Sequence, residues 1–157
     1  MFKQILEDLK RRLPKSEWSK IQRMFQWLVV AQTPWSLDNL HTALAVQSNR
    51  AITADDYTPD FQESLLQTCG SFIEVYADGT VRFIHLSVQE FLANSGTEFQ
   101  DSELSRSFHV IKELAHSSMA TLCLSYIIHN VPHSPAGSEA ASLHTKFPLL
   151  LYATKWW

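Results

Sequence analysis

The sequence predicts a mainly α-helical fold with a small β-hairpin wing. Three observations carry that expectation. Apolar residues recur at helical spacing in three successive segments between Ser16 and Cys69. Two short segments then flank Ala77-Asp78-Gly79, whose Asp-Gly pair supplies the positive φ that a tight hairpin needs. Val81 to Ala93 follows at once and reads as a strand that ends and a helix that starts, with His85 at the junction. The order helix, helix, helix, hairpin, helix is that of a winged helix, and the apolar pattern beyond it reads as the start of a helical subdomain.

A chain of 157 residues is about one domain, or one and a fraction. Apolar residues make up 45% and charged residues 18%, which suits a real core and excludes wholesale disorder. The net charge of −3 demands no basic face, as a nucleic-acid binder would. Cys69 and Cys123 are too few for a disulfide framework and lack CxxC spacing, so a reducing, cytoplasmic setting is expected. No apolar run is long enough to span a bilayer, and residues 1–14 lack the apolar stretch of a signal peptide. The last residues, Trp156-Trp157, fall on what reads as an unfinished apolar helix, the pattern of a fragment or a truncated gene model.

The elements follow in order. Phe2, Ile5, Leu6 and Leu9 form one face of a first helix, with Lys10, Arg11 and Arg12 offsetting its dipole and Pro14 breaking it. That basic cluster reads as a solvated helix end rather than a nucleic-acid contact. Ser16 to Gln32 is a second helix, capped near Ser16, with Trp18, Ile21, Phe25, Leu28 and Val29 inward and Thr33-Pro34 ending it. Ser36 caps a third, Leu37 to Val46, with Leu37, Leu40, Ala43 and Leu44 inward. Residues 47–57 read as a polar loop. Thr58-Pro59 opens the next helix with proline at its first position; Phe61, Leu65, Leu66 and Cys69 face inward, and Gly70 stops it.

Strands Ser71 to Tyr76 and Thr80 to Ile84 make the hairpin. Ser87 three residues before Glu90 then predicts a capping box, with Leu86 and Phe91 as its hydrophobic staple and the helix ending at Asn94-Ser95-Gly96. Residues 97–107 read as loop. A long helix from Ile111 to His129 carries Leu114, Ala115, Met119, Leu122, Cys123 and Tyr126 on one face. Val131 to Thr145 reads as a linker, and Phe147 to Ala153 opens a last apolar helix. These limits give an incoming helix at 1–14, a winged helix at 15–96 and a helical extension at 97–157.

Catalytic motifs are missing. There is no G-x-x-x-x-G-K-[ST] loop, no G-x-G-x-x-G and no G-x-S-x-G. The seven histidines are scattered, with no metal-ligand spacing. Ser87 beside His85 could pair as nucleophile and base, but capping already accounts for the serine. Cys69 reads as a small core residue. A DNA-binding regulator is the alternative that a winged helix invites. Its third helix would enter the major groove. Here that helix holds Asp60 and Glu63 and no lysine or arginine, and the wing offers Asp78 against Arg82. Such surfaces repel phosphates. What remains is His85, just outside a helix N-terminus, where free N–H groups and partial positive charge suit an anion.

Phe83-Ile84-His85-Leu86-Ser87-Val88-Gln89-Glu90-Phe91-Leu92 resembles the F-x-H-x-[ST]-[FV]-[QK]-[ED]-[FY]-[LF] signature of the winged helix in NACHT-type STAND NTPases, the animal NOD-like receptors and their fungal relatives. The run from Leu28 to Leu40 is similar to the opening of the same domain. Ala115-His116, Leu122 to Ile127 and Phe147 to Trp156 resemble segments that follow it in fungal members, which are often labelled as resembling the winged helix of GPI inositol-deacylase. The resemblance implies a non-catalytic segment that packs on the NACHT nucleotide-binding domain of its own polypeptide. It implies that His85 contacts the phosphate of bound ADP and holds a closed state, that exchange for ATP releases it, and that the protein then oligomerises. Neither the NACHT module upstream nor ankyrin, WD or similar repeats downstream lie within this chain, so ADP or ATP would be held only in the parent protein.

Overall fold

The computed structural model describes residues 2–93, 107–133 and 142–156. Helix α1, Phe2–Arg12, leads into α2, Lys15–Val30. Strand β1, Trp35–Ser36, runs directly into α3, Leu37–Ala45. A single 3-10 turn, Ala54–Asp56, precedes α4, Phe61–Cys69. Strands β2, Ile73–Val75, and β3, Thr80–Phe83, form the wing, and α5, Leu86–Ala93, follows. Helices α6, Lys112–Asn130, α7, Leu143–Lys146, and α8, Leu150–Lys155, complete the described chain.

The expected winged helix is present, and its sheet is larger than expected. β1 joins the hairpin, giving the antiparallel order β1-β3-β2, with Trp35 opposite Val81 and Ile73 opposite Phe83. Two residues before a helix cap carry no period-2 signal, so pairing rather than pattern makes this strand. Gly79 takes φ 76°, as the Asp-Gly turn requires. Its carbonyl accepts from Leu37 N–H at 2.9 Å, which ties the wing turn to the start of α3.

α2 is the central helix because its apolar residues cover more than one face. Phe25 is fully buried, and its ring meets Phe72 at 5.5 Å, Phe83 at 6.1 Å and Phe108 at 6.2 Å. Trp27 stacks towards Trp35 at 6.3 Å, and Trp35 stacks on Tyr152 of α8 at 4.4 Å. α6 packs on both α2 and α8. One apolar cluster therefore runs from Leu6 through Phe25 and Met119 to Ala153.

Several local expectations are corrected. α2 is preceded by Pro14, not capped by a serine; the Pro14 carbonyl accepts from Glu17 N–H, and Ser16 lies inside the first turn. α4 starts at Phe61, two residues after Pro59, because Asp60 sits in the left-handed region at φ 45°. Leu66 turns outward, 37% exposed, since Phe61, Leu65 and Cys69 already fill the inward stripe of that short helix. Gly70 does end α4 as its C-cap, at φ −60° rather than in the left-handed region, and a Cβ there would collide with the Leu66 carbonyl oxygen. Leu114 is 63% exposed because the stripe of α6 facing α2 begins at Ala115. Residues 143–145, expected as linker, fall in helix α7, and the last helix begins at Leu150 rather than Phe147. The loop over 97–107 and the helix stop at Asn94-Ser95-Gly96 lie almost wholly outside the described residues.

Candidate functional site

β3 delivers His85 to its place. Ile84 N–H donates to the Phe72 carbonyl at 3.0 Å, the last bond before the chain turns away from the sheet. Val88 N–H then donates to the His85 carbonyl at 3.0 Å, which makes His85 the residue flanking the start of α5. The helix is anchored by Val88 and Leu92, both fully buried, and by Gln89 Nε2, which donates to the Val29 carbonyl of α2 at 3.0 Å.

The cap differs from the expected one. Ser87 lies within the helix, and His85 itself supplies the capping acceptor: Ser87 N–H donates to His85 Nδ1 at 3.1 Å. The Ser87 hydroxyl sits 2.8 Å from the same nitrogen, so the described bonds do not form a Ser87–Glu90 box. A backbone N–H can only donate, so Nδ1 accepts and the ring proton of neutral His85 belongs on Nε2. The staple is absent as well. Leu86 is 63% exposed, while Phe91 packs on Phe2 at 5.3 Å.

The imidazole is exposed and oriented at Nδ1 by Ser87, and its Nε2–H makes no bond among the described residues. Ile84 and Leu86 on either side are also exposed and apolar. This rim went unrecognised in the sequence, although the unbroken run Phe83-Ile84 does not alternate as a half-buried strand should. Chemically, the arrangement can donate one hydrogen bond to an anion. The Ser87 hydroxyl shares Nδ1 with the Ser87 N–H, and no carboxylate among the described bonds orients the ring.

The other candidates are structural. His41 stacks on Phe61 at 4.3 Å and meets Tyr57 edge-on at 4.9 Å, while its Nε2 accepts from Thr58 N–H at 3.1 Å. Burial pushes its pKa down, against a smaller opposing pull from Asp38. Burial also pushes the Cys69 and Cys123 thiols up to about 12, so neither is a ready thiolate. Among the described residues no cluster of His, Cys, Asp or Glu could hold a metal ion, and no helix is long and apolar enough to cross a membrane.

α4 and the wing make a poor nucleic-acid face. Gln62, Glu63 and Gln67 are exposed on α4, with Gln67 bonded to Glu63 at 3.0 Å. The wing's cation is spent locally: Arg82 pairs with Asp78 at 3.2 Å and lies 4.8 Å over the Tyr76 ring.

The family model described as "GPI inositol-deacylase, winged helix domain" covers residues 14–105. No curated protein and no solved structure matches the chain. The family's name refers to a winged helix domain, not to the catalytic part of a deacylase. The matched span takes in α2 to α5 and more than half the chain, and the fold agrees with it, so this chain belongs to the family of the GPI inositol-deacylase winged helix domain.

Proposed function

We propose that the chain is a non-catalytic regulatory segment of a NACHT-type STAND signalling NTPase, coupling nucleotide state to oligomerisation. One observation carries this reading: an exposed His85 imidazole, oriented by Ser87 and flanked by exposed Ile84 and Leu86. An N–H donor beside a helix N-terminus fits one phosphate oxygen. The apolar residues beside it fit packing against a second domain of the same polypeptide. The chain has no phosphate loop, so the other contacts to ADP belong to that domain. A histidine engaged only in the ADP-bound, closed arrangement biases the two states by its differential contact. Exchange for ATP then frees the segment and permits assembly. Downstream repeats would complete such a protein, in the cytoplasm. The acidic α4 surface disfavours the DNA-binding alternative.

The test is nucleotide retention in the full-length parent. His85→Ala should release ADP faster and raise spontaneous assembly. His85→Asn should do the same while keeping a side-chain acceptor for the α5 cap, since asparagine is a good N-cap residue. Unchanged ADP release in both variants would overturn the assignment.

A further inference from the structure

A cleft away from His85 lies between α2 and α6, bordered by the chain leaving α3. Its volume is about 210 Å³. Its donors come from three elements: Arg23 and Trp27 one turn apart on α2, Ser117, Ser118 and Thr121 on α6, and Ser48. No carboxylate lines it.

Two facts make this lining unusual. Arg23 Nε and Trp27 Nε1 are both fully buried and have no hydrogen-bond partner among the described residues. A buried N–H left unmade is costly, more so when it carries charge. The guanidinium lies 5.8 Å over the Trp27 ring, a contact that covers its face and satisfies none of its N–H groups. It has no acidic partner among the described residues, and partial burial lowers its pKa. Some hydroxyls nearby are committed: Thr121 donates to the Ser117 carbonyl and Ser125 to the Gln47 carbonyl, each at 2.9 Å. The Ser48, Ser117 and Ser118 hydroxyls make no bond among the described residues and can turn to an acceptor. The site therefore presents a cation and several donors, and lacks an acceptor of matching charge.

We infer that this cleft binds a small tetrahedral oxyanion, the phosphate group of a soluble solute, held by the Arg23 guanidinium with the hydroxyls of Ser48, Ser117 and Ser118. A guanidinium with serine hydroxyls beside it is the donor set that phosphate oxygens accept from. The cleft has room for a group of that size.

The experiment is a thermal-shift titration of the full chain with inorganic phosphate at constant ionic strength, with chloride as the balancing anion. A saturable rise in Tm is expected with phosphate and with competing sulfate, and none with chloride. Arg23→Gln should weaken the apparent affinity about tenfold or more, the worth of a charge-assisted bond. If that variant fails to fold, the double variant Ser117→Ala and Ser118→Ala should weaken it several-fold. Lys20→Gln, a surface cation on the same helix, should leave it unchanged. No saturable rise, or an equal rise in the arginine or serine variants, would overturn the proposal.

Discussion

His85 and Asp56 each use a side chain to hold a backbone N–H that the fold would otherwise leave open. For Asp56 the partners are Thr53 N–H at 2.8 Å and both terminal nitrogens of Arg50 at 2.6 Å. The Arg50 bonds first, and then the Thr53 backbone, hold this carboxyl well below the usual carboxylate range. A carboxyl whose folded pKa lies below its unfolded value of about 3.9 contributes fully above that pH, and the contribution is lost as pH falls towards the folded value. Asp56→Asn should therefore melt below wild type at pH 7, and the gap in Tm should narrow as the pH is lowered from about 4. A gap that stays constant down to pH 3 would contradict this account. Neither clasp was read from the sequence. A histidine is not among the usual N-cap residues, and residues 47–57 lack periodicity because a single 3-10 turn is too short to show any.

Among the elements, the wing was the most legible. Its turn needs one residue at positive φ, and Asp78-Gly79 announces it. Beyond its two chain neighbours, nothing among the described residues lies within 4 Å of where a Gly79 Cβ would be, so Gly79→Ala probes backbone strain. It should cost about 1 kcal/mol, measured by urea denaturation, and Gly79→Asn less, since asparagine tolerates that region. Equal stability of both variants with wild type would mean that the turn relaxes. The starts of α2 and α4 were less legible, because Pro14 and Asp60 set them through backbone conformation rather than through a serine cap or a first-turn proline.

For the whole molecule, the consequential feature is that α6 and α8 complete the core begun by α1 to α5. Met119 on α6 is fully buried in the same cluster as Phe25 on α2. Met119→Ala should cost about 2–5 kcal/mol by opening a cavity there. Because the cluster is shared, far-UV circular dichroism and tryptophan fluorescence should still report one coincident transition. A separate early transition would show that the C-terminal helices unfold by themselves. The same arrangement creates the cleft between α2 and α6, so its chemistry depends on a contact between helices some ninety residues apart along the chain.

Periodicity, turn chemistry and an ordered set of motifs were enough to determine the winged helix, its helix order, the Asp-Gly hairpin and the place of His85 at a strand–helix junction. These are local properties: each depends on residues within one or two turns of one another. The tertiary structure alone decided that β1 pairs with β3, that His85 caps α5 with its Nδ1 and so presents Nε2, that Leu86 and Leu114 face outward, and that Arg23 and Trp27 meet the serines of α6. Apart from the His85 cap, which is made with Ser87 two residues on, each of those depends on which distant surface arrives to take up a hydrogen bond or cover an apolar face. A one-dimensional pattern records that a residue is apolar or polar, and not what it meets.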